Sequence, residues 1–219
     1  MACDLAPDGL WCVEVGYLPA MLARTAYDTI CHEHLCYYTL ASLIEATVRV
    51  GLAAVRWSLS ECNGGSLRVY FSHNWETRFE SHVDWDKERL LTSECALAVN
   101  RLWIDFAARV QAHRVKLRET LTSLRAQGKR IHLLGASTKA NVWLQYCQLG
   151  GDLIEMASDR DPCKAGLMTP GTHIPIVTED QSRALKPDVY VVGPWHFRSE
   201  IIARERDFLV RGGRMIFPL

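Results

Sequence analysis

The 219 residues are short of several things, and each shortage narrows the function. There is no apolar run long enough to span a bilayer, so a helical membrane protein is not expected. There is no basic tract and no excess of either charge: Lys plus Arg and Asp plus Glu both number 25. The electrostatic footprint of a nucleic-acid or membrane-surface binder is therefore missing, and a ligand must be recognised by local groups. The cysteines (Cys3, Cys12, Cys31, Cys36, Cys62, Cys95, Cys147, Cys163) form no CxxC pair, which argues against a zinc ribbon or a disulfide scaffold and for reduced thiols. The start carries Asp4 and Asp8 where a signal peptide would need positive charge. A cytoplasmic protein is expected, with neither nucleic acid nor membrane as partner. No internal repeat and no low-complexity linker interrupts the chain.

What is present reads as two kinds of structure. Leu10–Val15 forms an apolar strand, Pro19–Ala26 and Ser42–Val50 read as helices, and AAVRWSLSE and SLRVYFSH form a strand pair joined at Asn63-Gly64-Gly65. These few elements leave a sheet edge open, so a preceding segment or a partner chain is expected to complete it. From about Trp85 to Gln127, Leu91, Cys95, Ala98, Leu102, Phe106, Val110, His113, Leu117, Leu121 and Leu124 recur every three or four residues. That spacing predicts one long connecting helix, with His113 as a hydrogen-bonded core histidine. Beyond Gly128, RIHLLG, LIEMAS, DVYVVG and RMIFPL alternate with helical stretches, the grammar of a parallel sheet wrapped by helices. Pro170–Pro175 reads as a turn or a lid. The expected class is α/β, divided into residues 1–84, a connecting helix over 85–127, and a Rossmann-like domain over 128–219.

Four segments carry candidate chemistry. Residues 27–38 read YDTICHEHLCYY. His32 and His34 lie two apart, which suits a loop rather than the four-apart spacing of a helical zinc site, and no metal is expected. Proton transfer suits the triplet better, with an imidazole as base, Glu33 as its neighbour, and phenols at Tyr17, Tyr27, Tyr37 and Tyr38 as donors to an oxyanion. A solvated polar loop is the competing reading. Asn63–Arg68 sets a hydroxyl and a guanidinium beside two glycines, a phosphate or sugar contact or else a plain hairpin. Gly135–Asn141 lies between strand and helix, where free N–H groups and Lys139 suit a phosphate, although it has neither a dinucleotide fingerprint nor a Walker loop. Asp159–Pro162 closes the next strand at the same edge.

The order EVGY (Glu14–Tyr17), YDTICHEHLCYY (Tyr27–Tyr38), NGGSLR (Asn63–Arg68), GASTKAN (Gly135–Asn141), DRDPCKAG (Asp159–Gly166), PGTHIPI (Pro170–Ile176) and PWHFRSEI (Pro194–Ile201) resembles the S-adenosylmethionine-dependent C-methyltransferases that act on nucleotide-linked keto-deoxysugars. That resemblance implies a partial class I methyltransferase domain, a long helix and a complete Rossmann-like C-terminal domain. It places the family's zinc-binding domain and its S-adenosylmethionine turn upstream of Met1, so the cofactor-binding residues are unknown here.

The resemblance further implies His34 as the base that removes the proton next to the sugar ketone, facing a pocket, with Glu33 orienting it; His32 and Cys31 complete the catalytic set. Cys31 stands where the family has tyrosine, Asn63 where it has histidine, and Gly16 where it has proline. Tyr17, Ser66, Arg68, Ser137, Lys139 and Asn141 are the implied contacts to a nucleotide-linked sugar such as a dTDP-keto-deoxysugar, in a cleft between the two halves. The alternative is a nucleotide-sugar-binding remnant or interaction module without catalysis.

Overall fold

The computed structural model describes residues 3–73 and 85–219 and divides the chain into two compact units, Met1–Ala26 with Leu35–Ala107, and Tyr27–His34 with Ala108–Leu219. The domain limit expected at residue 84 falls at the edge of the stretch outside the described residues. No described helix is long and apolar enough to cross a membrane.

In the first unit, β1 (Trp11–Gly16), β2 (Leu52–Ser60) and β3 (Ser66–His73) form an antiparallel sheet in the order β1-β3-β2. The central strand is registered by Trp11 opposite Phe71 and Gly16 opposite Ser66. Its alternate residues Leu67, Val69 and Phe71 are fully buried, as the two-residue period of a strand requires when one face meets a core. Leu40 and Leu43 of helix α2 (Leu40–Val48) pack against them; helix α1 (Leu18–Arg24) follows β1. Gly65 closes the expected hairpin at φ 126°, and a Cβ there would lie 2.6 Å from that of Ala20. Only glycine meets both conditions.

The long helix is not continuous. Helix α3 (Trp85–Glu94) gives way to a 3₁₀ turn at Cys95–Ala98 and an extended Val99 before helix α4 (Asn100–Ala126) begins. The division between units falls within α4. The apolar stripe holds at Phe106, Val110, Leu117, Leu121 and Leu124, all buried, and fails at Cys95 and Ala98, both exposed. The physical reason is Glu94, which is buried. Its carboxylate accepts from the backbone N–H groups of Leu40 (2.8 Å) and Ala41 (2.9 Å) and from the Tyr17 hydroxyl (3.0 Å). A carboxylate is favoured at those unpaired helix donors, and aiming it there breaks the register of the stripe. Glu94→Ala is expected to cost about 2 kcal/mol, because three donors lose their acceptor, and Glu94→Gln, which keeps one oxygen, less. Equal urea midpoints for Glu94→Ala and wild type would refute this.

The second unit carries the expected parallel sheet and confirms the α/β class. Strands β4 (Ile131–Leu134), β5 (Met156–Asp159), β6 (Ile176–Thr178), β7 (Val189–Val192) and β8 (Arg214–Ile216) lie in the order β6-β5-β4-β7-β8, all parallel. Every residue of β4 and β7 is buried, which is why they read as unbroken apolar runs. Helices α5 (Thr138–Tyr146), α6 (Glu179–Ala184), α7 (Arg198–Arg204) and α8 (Arg206–Val210) connect them. Two details depart from expectation. Strand β6 was not expected: it follows the turn read at Pro170–Pro175, and its three residues are too few to show a period. The last helix is broken at Glu205, whose φ of −97° and ψ of 29° are not helical.

His113 is the bonded core histidine expected. Its Nε2 meets the Pro218 carbonyl (2.6 Å) and therefore donates, leaving Nδ1 to accept from the Tyr27 hydroxyl (2.9 Å). Burial lowers its pKa, which favours this neutral form.

Candidate functional site

The strand order sets β4 beside β7 while the chain leaves them in opposite directions. At such a switch point the loops part and leave a crevice at the carboxyl edge. Two turns build that edge, Gly135-Ala136-Ser137 after β4 and Gly193-Pro194-Trp195-His196 after β7. They are locked together: Gly193 donates its N–H to the Leu134 carbonyl (2.8 Å), and a Cβ on Gly193 would lie 2.3 Å from the Gly135 carbonyl oxygen. Ser137 caps α5, its Oγ accepting from the Ala140 N–H at 3.2 Å. The small residues of this loop thus serve the strand-to-helix turn.

Tyr27–His34, the first part of the histidine-rich stretch, belongs to this unit. A 3₁₀ turn at Tyr27–Thr29 leads into a second turn, closed by the His34 N–H on the Cys31 carbonyl (3.1 Å). Three side chains fix its ends. Tyr27 is buried, its hydroxyl also 3.4 Å from Cys147 Sγ and its ring edge-on to Tyr146. Asp28 is fully buried and accepts 2.7 Å from Trp195 Nε1. Glu33 accepts from the Thr138 hydroxyl at 3.3 Å. The turn therefore reaches the first residue of α5.

Burial dominates the electrostatics there, with Lys139 as the nearby charge. Burial pushes the Asp28 carboxyl up, opposed by the Trp195 bond and by the Lys139 charge. Burial first and Lys139 second bring His196 down to about 4, so its imidazole is neutral at neutral pH. The buried Oδ1 of Asp28, Oδ1 of Asn141 and Nδ1 of His196 have no hydrogen-bond partner among the described residues.

The expected site residues divide by unit. The second unit holds Cys31 (half-buried), His32 (exposed, Nε2 3.9 Å from Glu33), Glu33, Ser137, Lys139 and Asn141. His34 is on the same turn with its side chain exposed rather than walled in by this unit. In the first unit the other three are each occupied. Tyr17 is buried against Glu94, and burial foremost raises its phenol pKa. Ser66 donates to the Cys62 carbonyl (2.9 Å). Arg68 donates from Nε (2.9 Å) and Nη2 (2.6 Å) to Glu14, which also accepts from Ser60 (2.9 Å). Sequence reasoning did not single out Asp28, Thr138, Trp195 and His196. The signal was available, since all four lie inside the motifs quoted above, but only contact reveals that they meet.

Beside the same edge is a cavity of about 400 Å³ lined by Gly135, Ser137, Asp159, Lys164, Phe197 and Arg204 among others. Asp159 and Lys164 pair across it at 2.9 Å, and Lys164 also donates to the Ala136 carbonyl (3.1 Å). Its volume lies within the range of small-molecule sites. Among the described residues no group of three or more His, Cys, Asp or Glu is placed to hold a metal ion.

Comparison with known proteins adds the family. Residues 61–219 match the family described as the C-methyltransferase C-terminal domain. Over 217 residues the chain is 36% identical to the C-methyltransferase NovU of Streptomyces niveus, covering 98% of this chain and 51% of that protein. The chain thus spans about half the length of the relative it matches. With agreement of that extent along nearly all its residues, this chain belongs to the C-methyltransferase family.

Proposed function

We propose that the chain supplies the sugar-handling and proton-removing residues of a C-methyltransferase, one that moves a methyl group from S-adenosylmethionine to a carbon next to the ketone of a nucleotide-linked deoxysugar. The observation that carries the reading is the seating of the Cys31–His34 turn on the first turn of α5, where Glu33 meets Thr138 beside Lys139. A proton next to a ketone is weakly acidic, so a placed base and a donor to the developing enolate must both contribute. His34 takes the proton. Glu33 stabilises the imidazolium that results. The Cys31 thiol is the donor proposed for the enolate, a weaker one than a phenol. Lys139 and the α5 N-terminus suit the diphosphate of the nucleotide, with Ser137 and Asn141 on the same helix face toward the sugar. The proposed location is the cytoplasm.

S-adenosylmethionine is the methyl source that C-methyltransferases generally use. The turn after β4, where an open parallel sheet would cradle such a group, does not fit it. A Cβ on Gly135 would lie 2.5 Å from Pro194 Cδ, so this glycine serves a packed neighbour rather than a ligand. No described residue is assigned to the donor, and the chain's share of the chemistry is the handling of the sugar and its proton.

A second reading, a nucleotide-sugar-binding module without catalysis, is favoured by the exposure of His34 and by Cys31. Incubation with methyl-labelled S-adenosylmethionine and a dTDP-linked keto-deoxysugar separates the two. Label in the sugar supports the enzyme, whereas saturable sugar binding without transfer supports the module. Under either reading Lys139→Ala is expected to weaken dTDP-sugar binding about tenfold, the loss of one charge-assisted contact. Calorimetry showing unchanged affinity would remove Lys139 from the site.

A further inference from the structure

The turn that carries His32, Glu33 and His34 is held to the C-terminal unit by few contacts of unequal strength. The N–H groups of Ile30, Cys31 and His34 close local turns onto Tyr27, Thr29 and Cys31, so these bonds do not tie the segment to the sheet. The Thr138–Glu33 contact is long at 3.3 Å, and the Glu33 side chain is half exposed; water competes for it. Tyr27 is firmly held but lies one residue further from the turn than Asp28. Asp28 differs from all of these. It is fully buried, and its Oδ2 takes a 2.7 Å bond from Trp195 Nε1. Its Oδ1 is buried without a hydrogen-bond partner. Burying a carboxylate is costly; the Trp195 bond offsets this most, ahead of the Lys139 charge and the N–H groups of Asp28 and Thr29, and in that dry setting it is strong. Trp195 in turn has a fixed position, since the Gly193 that precedes it is packed against the end of β4.

We propose that the Trp195–Asp28 hydrogen bond is the latch that fixes the Ile30–His34 turn on the carboxyl edge of the C-terminal sheet, which makes Asp28 and Trp195 positioning residues. It works as a short chain of rigid parts: the end of β7 places Trp195, Trp195 places Asp28, and Asp28 sets where the next turn begins. That His34 is the group placed for chemistry rests on the methyl-transfer reading. The latch itself does not.

Hydrogen exchange of the whole chain, measured by mass spectrometry without substrate, tests it. Trp195→Phe keeps the ring and removes the donor, Asp28→Ala removes the acceptor, and Asp28→Asn keeps an oxygen that can accept. The turn amides at 30–34 are expected to exchange about tenfold faster in Trp195→Phe and Asp28→Ala. In Asp28→Asn they stay within about twofold of wild type, while the amides of β4 and β7 are unchanged in all three. The indole N–H proton resonance of Trp195 should move upfield in Asp28→Ala and remain near its wild-type position in Asp28→Asn. An unchanged turn in Trp195→Phe, an Asp28→Asn as loose as Asp28→Ala, or a sheet that loosens by the same factor as the turn would each overturn the latch. Failure of methyl transfer would not touch it, because no step of this experiment uses a substrate.

Discussion

Replacing Glu205 by alanine is expected to destabilise the C-terminal unit by about 3 kcal/mol, the low end of the cost of breaking a buried ion pair. Glu205 is 3% exposed, and its carboxylate accepts from Arg183 (Nε at 3.1 Å, Nη2 at 2.5 Å) and from Arg204 Nε (3.1 Å). Both guanidiniums keep a second carboxylate, Glu179, and both are one-third exposed, which is why the higher values do not apply. The cluster ties α6 to the junction between α7 and α8. The pH dependence has a definite sign. Burial alone would raise the Glu205 pKa, but Arg183 and then Arg204 outweigh it and hold the carboxyl below its ordinary value of 4.5. A depressed folded pKa gives stability that is complete above the unfolded value and is lost as pH falls through the folded one. The gap between wild type and Glu205→Gln should therefore be constant at neutral pH and close in acid. Urea midpoints at both pH values check this. A neutral-pH shift for Glu205→Ala much smaller than about 1 M, given slopes of roughly 1–3 kcal/mol/M, would contradict the assignment.

His34→Ala is expected to slow proton removal from the carbon next to the ketone by about 10²–10⁴-fold, the usual contribution of a placed base. The reaction to follow is not methyl transfer but loss of that proton's NMR signal from a dTDP-linked keto-deoxysugar in heavy water. It needs no methyl donor, so it reads the base alone. Glu33→Gln keeps the acceptor for Thr138 and loses the charge that stabilises imidazolium; a smaller drop, about tenfold, is expected. Should the wild-type chain exchange the proton no faster than buffer, or His34→Ala match wild type, the proton-removing role falls and the binding-module reading takes its place.

The contrast between these two residues shows where sequence reasoning reaches. His34 was singled out by the resemblance, because the neighbouring motifs fall in a family's order, while the residues alone left proton transfer and a solvated polar loop both open. Glu205 is silent, an acid in a charged stretch, RERD, that any solvated helix could carry. Only burial and two arginines, one of them 22 residues back in the chain, give it weight. The same division runs through the fold. The parallel sheet was legible because strands buried on both faces must be apolar throughout. The break at Val99 was not, since a spacing pattern registers which residues are apolar and cannot register that Glu94 is needed elsewhere. Asp28, Trp195 and His196 stood inside recognised motifs without a role, since 167 residues separate the donor from its acceptor.

Residue type and local period, then, determined on their own the α/β class, the parallel C-terminal sheet, the hairpin at Gly65 and the bonded character of His113. These depend on interactions of each residue with its near neighbours or with an unspecified core, and such interactions leave a period behind. The tertiary structure alone decided which carboxylates are buried and what they hold, and that the histidine turn rests on α5. Burial and distance are properties of two segments meeting, and neither segment encodes the other's position.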